Sequence, residues 1–174
     1  MIRMKRAMLP LCALTLVLAI AFSSCASPRS TPAIMLDISL RDYKQLLQGD
    51  VPDGLRLTIY YIDANIWFRI PPGKDTLMAH NKIIIESEEL APYWKSMQEM
   101  GLSTLSTTHG ECSCRWLGYT LENAQSQKLL EVFFCYDITP CVYVNDIPVA
   151  YDSQLFEIIK PFLDSGDYNY RLPH

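Results

Sequence analysis

Between Leu55 and Tyr61 the apolar residues Leu55, Leu57, Ile59 and Tyr61 alternate with Arg56, Thr58 and Tyr60. That period of two constrains the fold more than any other feature, because side chains of an extended strand point to opposite faces in turn. A half-buried strand follows. Lys82 to Glu86 carries the β-branched run Ile83-Ile84-Ile85, a buried strand. Arg115 to Leu121 and Lys128 to Tyr136 are strand-like, joined by the polar segment Glu122 to Gln127. Val142-Tyr143-Val144 and Ile147-Pro148-Val149 flank Asn145-Asp146, a pair that tolerates positive φ in a tight hairpin. Pro148 cannot donate to a ladder, so its strand belongs at an edge or turns the missing donor outward. Asp63-Ala64-Asn65 reads as a turn and Ile66 to Ile70 as a returning strand, ended by Pro71-Pro72-Gly73.

Helices fall between these groups. Ser39 and Asp42 suggest a capping box for a short helix near residues 40–48, with Leu40, Tyr43, Leu46 and Leu47 on one face and Gly49 as the stop. Glu88 and Glu89 suit the start of a second helix, where the macrodipole favours acids, and Pro92 fits its first turn. Leu90, Tyr93, Trp94, Met97 and Met100 form its apolar side, and Gly101 closes it. Asp152 or Ser153 caps a third helix bearing Leu155, Phe156, Ile158 and Ile159, which Pro161 ends or kinks. Hairpin-linked strands separated by helices predict an α+β fold: an antiparallel sheet with about three helices packed on one face.

The amino terminus has a different character. Arg3, Lys5 and Arg6 precede an apolar run from Ala7 to Phe22, and small residues follow. This is the pattern of a secretory signal peptide, and the run is short for the ~20 residues of a membrane-spanning helix. Phe22-Ser23-Ser24-Cys25 resembles the lipobox of bacterial lipoproteins, although Leu is commoner where Phe22 stands. The resemblance covers residues 1–27 and implies cleavage before Cys25, with acyl chains on that residue. Two or three such chains anchor a protein stably, whereas one does so marginally. It divides the chain into a signal peptide (1–24), a lipidated Cys with a flexible tether (25–33) and one globular domain (34–174). Ala26 stands where an Asp would signal inner-membrane retention in enteric bacteria, so the resemblance implies the outer membrane, facing the periplasm, in a Gram-negative host.

Removing the three basic residues ahead of Cys25 leaves twelve Lys and Arg against nineteen Asp and Glu, a net charge of −7. An acidic surface disfavours nucleic acid and anionic headgroups as partners. Beyond the anchor remain Cys112, Cys114, Cys135 and Cys141. An even number of Cys in an oxidising envelope is read first as disulfides. A hairpin with Leu121 opposite Lys128 would set Cys114 opposite Cys135; the other pairing is Cys135 with Cys141. Cys112 and Cys114, two apart on a strand, diverge too far to bond. A metal site from His109, Cys112 and Cys114 with Cys135 or Cys141 would have soft ligands, but the spacing matches no common zinc pattern. A nucleophilic Cys paired with His80 or His109 has no local signature.

The chain has no phosphate-cradling glycine loop, His-Glu-x-x-His or Gly-x-Ser-x-Gly. Asp63, Asp137, Asp146 and Asp152 lie in loops, where turn formation and capping account for them without chemistry. Tyr60, Tyr61, Trp67 and Phe68 cluster in sequence and would divide between the core and the outer sheet face. The expectation is a lipid-anchored envelope protein that is not an enzyme, needs no cofactor or metal, and binds another envelope or secreted protein as an assembly, inhibitor or immunity module. The alternative is a small envelope enzyme or a ligand- or metal-binding protein.

Overall fold

The computed structural model describes residues 32–63, 66, 68–100, 102, 105–108, 114–135 and 141–163. Helix α1 (Pro32–Leu46) leads to strand β1 (Arg56–Tyr61), and helix α2 (Lys74–Met78) to β2 (Asn81–Glu86). Helix α3 (Ser87–Leu90), a 3₁₀ turn (Ala91–Tyr93) and helix α4 (Trp94–Glu99) follow. Strands β3 (Arg115–Glu122), β4 (Lys128–Cys135), β5 (Cys141–Val144) and β6 (Ile147–Ala150) precede α5 (Ser153–Glu157) and a last 3₁₀ turn (Lys160–Phe162). The six strands form one antiparallel sheet in the order β2-β1-β3-β4-β5-β6. The architecture is α+β, as the strand pattern requires.

Alternation decides which residues meet on each face. Leu57 and Ile59 of β1, Tyr119 and Leu121 of β3, Leu130, Val132 and Phe134 of β4, and Val142 and Val144 of β5 share the principal core. Against them pack Leu36, Leu40 and Tyr43 of α1, Leu90, Trp94 and Met97 of α3 and α4, and Leu155 and Phe156 of α5. Polar ties hold these helices in place. Trp94 Nε1 donates to the Gly49 carbonyl at 2.9 Å, and the Tyr119 hydroxyl to the Leu155 carbonyl at 3.0 Å.

Several details depart from the expected layout. The first helix begins at Pro32, eight residues before its expected start near 40, and so takes in Pro32 and Ala33 from the expected tether. Ser39 lies inside it and donates from Oγ to the Leu36 carbonyl at 2.8 Å, the back-bonding that lets a serine sit within a helix. Residues 66 and 68–70 form no strand: the Ile66 amide donates to Asp63 O at 3.0 Å in a turn, and Asn81–Glu86 takes the place beside β1. The second helix is broken at Ala91–Tyr93, where Pro92 supplies no amide and the turn tightens to 3₁₀. Three helical groups cover one face as expected, but α2 lies on the other. Its Leu77 is buried with Ile62 and Phe133, while Val132 and Phe134 beside Phe133 face the principal core.

The hairpin follows the sequence closely. Asn145 and Asp146 take φ of 49° and 64°, between strands paired Tyr143↔Pro148 and Val144↔Ile147. Strand β6 lies at one edge of the sheet, one of the two placements that Pro148 allows. Its outer side is bonded to residues 106–108: Thr108 N–H donates to Pro148 O, and Ala150 N–H to Ser106 O. Among the described residues, nothing pairs with the outer side of β2 at the opposite edge.

Candidate functional site

The second face of the sheet carries two adjacent rows of side chains. Cross-strand register aligns Thr58, Thr120 and Glu131 in a polar row, and Tyr60, Gly118, Phe133 and Tyr143 in an aromatic one. Gly118 is required where it stands. A Cβ there would lie 2.2 Å from Phe133 Cδ1 and 2.8 Å from Val132 O, so the bare backbone makes room for the ring.

Glu131, 2% exposed, is the one buried charged side chain among the described residues. Burying a carboxylate is costly without opposite charge, and two lysines supply it. Lys74 Nζ bonds Oε1, and Lys128 Nζ bonds Oε2 at 2.8 Å. Lys74 also reaches Asp146 Oδ1 at 3.1 Å. Burial alone would lower the Lys74 pKa, but its hydrogen bonds to Glu131 and Asp146 outweigh that and hold it above the ordinary lysine value. The Glu131 backbone is fixed as firmly. Its N–H donates to Asn145 Oδ1 and its carbonyl accepts from Asn145 N–H, both at 2.8 Å. Asn145 Nδ2 then donates to Ser39 O of α1 at 2.8 Å, joining turn, sheet and helix. With both carboxylate oxygens engaged by ammonium groups, the cluster is suited to holding α2 and the β5–β6 turn on the sheet.

The aromatic row has cationic company. The Arg115 guanidinium lies 4.6 Å from the Tyr143 ring centroid and 5.5 Å from that of Phe133, and Lys74 Nζ lies 5.2 Å from Phe133. Phe68 meets Trp116 edge-on at 5.8 Å and His80 at 5.3 Å. Tyr60, Phe68, Trp116 and Tyr143 remain partly accessible, so the face packs inward while presenting ring edges outward. Aromatic and arginine side chains of this kind are enriched at protein interfaces.

The residues singled out in the sequence disperse. Cys25, Cys112, His109, Trp67, Asp137 and His174 lie outside the described residues. His80 meets Phe68 edge-on, Asp146 pairs with Lys74, and Asp152 caps α5 by accepting from the Gln154 amide at 2.9 Å. Glu88 and Glu89 occupy the first turn of α3, where Glu89 accepts from the Glu86 amide. The expected β3–β4 register is corrected by irregularities in the pairing: Leu121 faces Leu130, and Arg115 rather than Cys114 faces Cys135. Cys135 and Cys141 are both buried and cluster together with Tyr143. The β4–β5 pairing runs Val132↔Val144, Phe133↔Tyr143, Phe134↔Val142, and its extension by one residue would set Cys135 opposite Cys141.

Sequence reasoning missed Glu131 and Lys74. A lone acid within Leu129-Leu130-Glu131-Val132-Phe133-Phe134 was the available signal, since such a residue needs a cation; Lys74 is 57 residues away in sequence. Comparison with protein-family models, curated proteins and solved structures finds no match, so the functional argument rests on this chain's own residues.

Proposed function

We propose that this chain is a lipid-anchored protein of the bacterial envelope whose domain binds another protein without catalysing a reaction, in the manner of an assembly factor, an inhibitor or an immunity protein. The basic segment, apolar run and Phe22-Ser23-Ser24-Cys25 support the anchor. The observation that carries the binding role is the open edge of β2. The fold covers its other edge with residues 106–108, whereas among the described residues Asn81–Glu86 is bonded on one side only. At the centre of that strand Ile84 is 46% exposed. An open edge offers unpaired backbone groups to an incoming strand, and an exposed branched side chain adds specificity. Lys82 and Glu86 flank Ile84 on the same face and restrict which partners can pair.

A photo-crosslinking residue placed at Ile84 in the cell-envelope protein tests this. The expected result is a discrete adduct that the same residue at Lys95, exposed on α4, does not form. Equal labelling from both positions would refute the edge as the binding surface.

We propose that in the same oxidising setting Cys135 and Cys141, buried in one cluster beside Tyr143, form a disulfide. Directly opposed residues on antiparallel strands have Cα atoms ~4.5–5.5 Å apart, inside the range a disulfide spans. Exchange with an oxidised dithiol protein of the envelope would take up the two electrons and two protons.

A further inference from the structure

Among the described residues, no other element packs on the apolar outer side chains of α1. Leu36, Leu40 and Tyr43 point into the core, while Ile34, Met35 and Ile38 lie on the opposite side, 52%, 50% and 61% exposed. Three and four residues apart on a helix are neighbours, so these side chains form one apolar stripe. Pro32 and Ala33, also exposed, add no charge to this end of the helix. The first turn, Pro32 to Met35, contains no acid, although the helix dipole would favour one there. Charged residues begin at Asp37 and continue as Arg41, Asp42 and Lys44. The helix is thus apolar at its beginning and charged towards its end.

We propose that this end of α1 is a membrane contact, its stripe seated at the boundary between headgroups and acyl chains of the bilayer that holds Cys25. The inference rests on the lipid-anchor reading and adds an orientation to it. Seven peptide steps separate Cys25 from Pro32, so α1 starts at most ~25 Å of chain from the acylated residue. A shallow apolar surface kept that near a bilayer meets it at high effective concentration, and no strong intrinsic affinity is needed. A second copy of the chain is a poorer occupant. Three half-exposed side chains fall well short of the ~800 Å² per partner that a stable dimer buries. Zwitterionic lipid is the matching surface, because a mature chain of net charge −7 gains nothing from anionic headgroups.

The test uses acylated mature protein in phosphatidylcholine vesicles, with the acyl mass verified. Ile38→Trp places an indole on the stripe, Lys95→Trp places one on exposed α4, and the parent protein provides the background. Brominated acyl chains should quench the Ile38→Trp emission roughly twofold or more and leave Lys95→Trp near background, as expected of a group buried ~5–10 Å into the interface. Adding Ile34→Asp should remove most of that quenching while the protein stays on the vesicles. Acylated, vesicle-bound protein with equal quenching at both positions overturns the orientation and leaves the anchor standing. A concentration-dependent dimer abolished by Ile38→Asp overturns it in favour of a second copy. Protein that carries no acyl mass and does not sediment with vesicles overturns both readings together.

Discussion

Gly118→Ala should be costly for a reason readable in ångströms. The added methyl would stand 2.2 Å from Phe133 Cδ1, 2.7 Å from Cε1 and 2.8 Å from Val132 O. Ordinary carbon contacts are ~3.5–4.0 Å, so something must move by more than 1 Å. The Phe133 ring is fully buried among Ile62 and Leu77, with Lys74 and Arg115 over it, and the third contact is backbone. Overpacking of this kind costs ~1–3 kcal/mol, and the upper part of that range applies where neither ring nor backbone can yield. The loss of chain entropy that makes Ala preferable to Gly in a strand returns ~0.5–1 kcal/mol. The net expectation is ~2 kcal/mol, or a fall in Tm of roughly 4–8 °C for a chain of this size. Urea and thermal unfolding of Gly118→Ala, Phe133→Val and the double variant form a cycle. With the ring gone, only the 2.8 Å approach to Val132 O remains, so Gly118→Ala should cost distinctly less, giving a coupling of ~1 kcal/mol. Additive effects, or a Gly118→Ala protein as stable as the parent, would refute the close approach of the two strands' side chains.

Tyr43→Phe should stabilise the protein by ~1 kcal/mol in chemical denaturation, because the Tyr43 hydroxyl is buried and finds no hydrogen-bond partner among the described residues; destabilisation would show that it has one. Burial pushes the Tyr43 and Tyr119 hydroxyls well above the ordinary tyrosine range, and Lys74 is also held high. Groups raised in the folded state stabilise it fully below their unfolded pKa values and less as pH rises, so stability should decline above about pH 10 with late phenolate absorbance; stability that is level to about pH 11 would contradict this. Lys74→Met leaves Glu131 with Lys128 alone and should cost ~1–3 kcal/mol in urea unfolding, whereas a neutral effect would mean that Lys128 suffices. Reduction of a Cys135–Cys141 bond, closing a small loop, should cost ~2 kcal/mol, and a peptide map that joins Cys135 to any other cysteine would exclude the pair.

What could be read from the sequence was whatever local chemistry decides. Alternation marked β1, the Asn145-Asp146 pair marked the last hairpin, and Pro148 limited β6 to an edge or to an outward-facing missing donor. The failures arose where a residue has two local uses or a distant partner. Ser39 caps helices in many chains, but here its hydroxyl turns back to Leu36 O, and α1 runs past it to Pro32. Irregular pairing between Arg115 and Leu117 and between Leu121 and Glu122 moved the β3–β4 register off the simple hairpin count, and with it the partner of Cys135. The Glu131 cluster draws Lys74, Lys128, Asn145 and Asp146 from two elements and a turn, and no spacing within one segment encodes that meeting. Position α2 on the second face depends on the same long-range contacts.

Intact mass spectrometry of the membrane-extracted protein, before and after reduction and alkylation, tests the central claim most directly. The account predicts a chain that begins at Cys25, carries a diacylglyceryl mass there, and gains alkylation at Cys135 and Cys141 only after reduction. A chain that retains residues 1–24, or one that begins near Cys25 with no lipid mass, would contradict it.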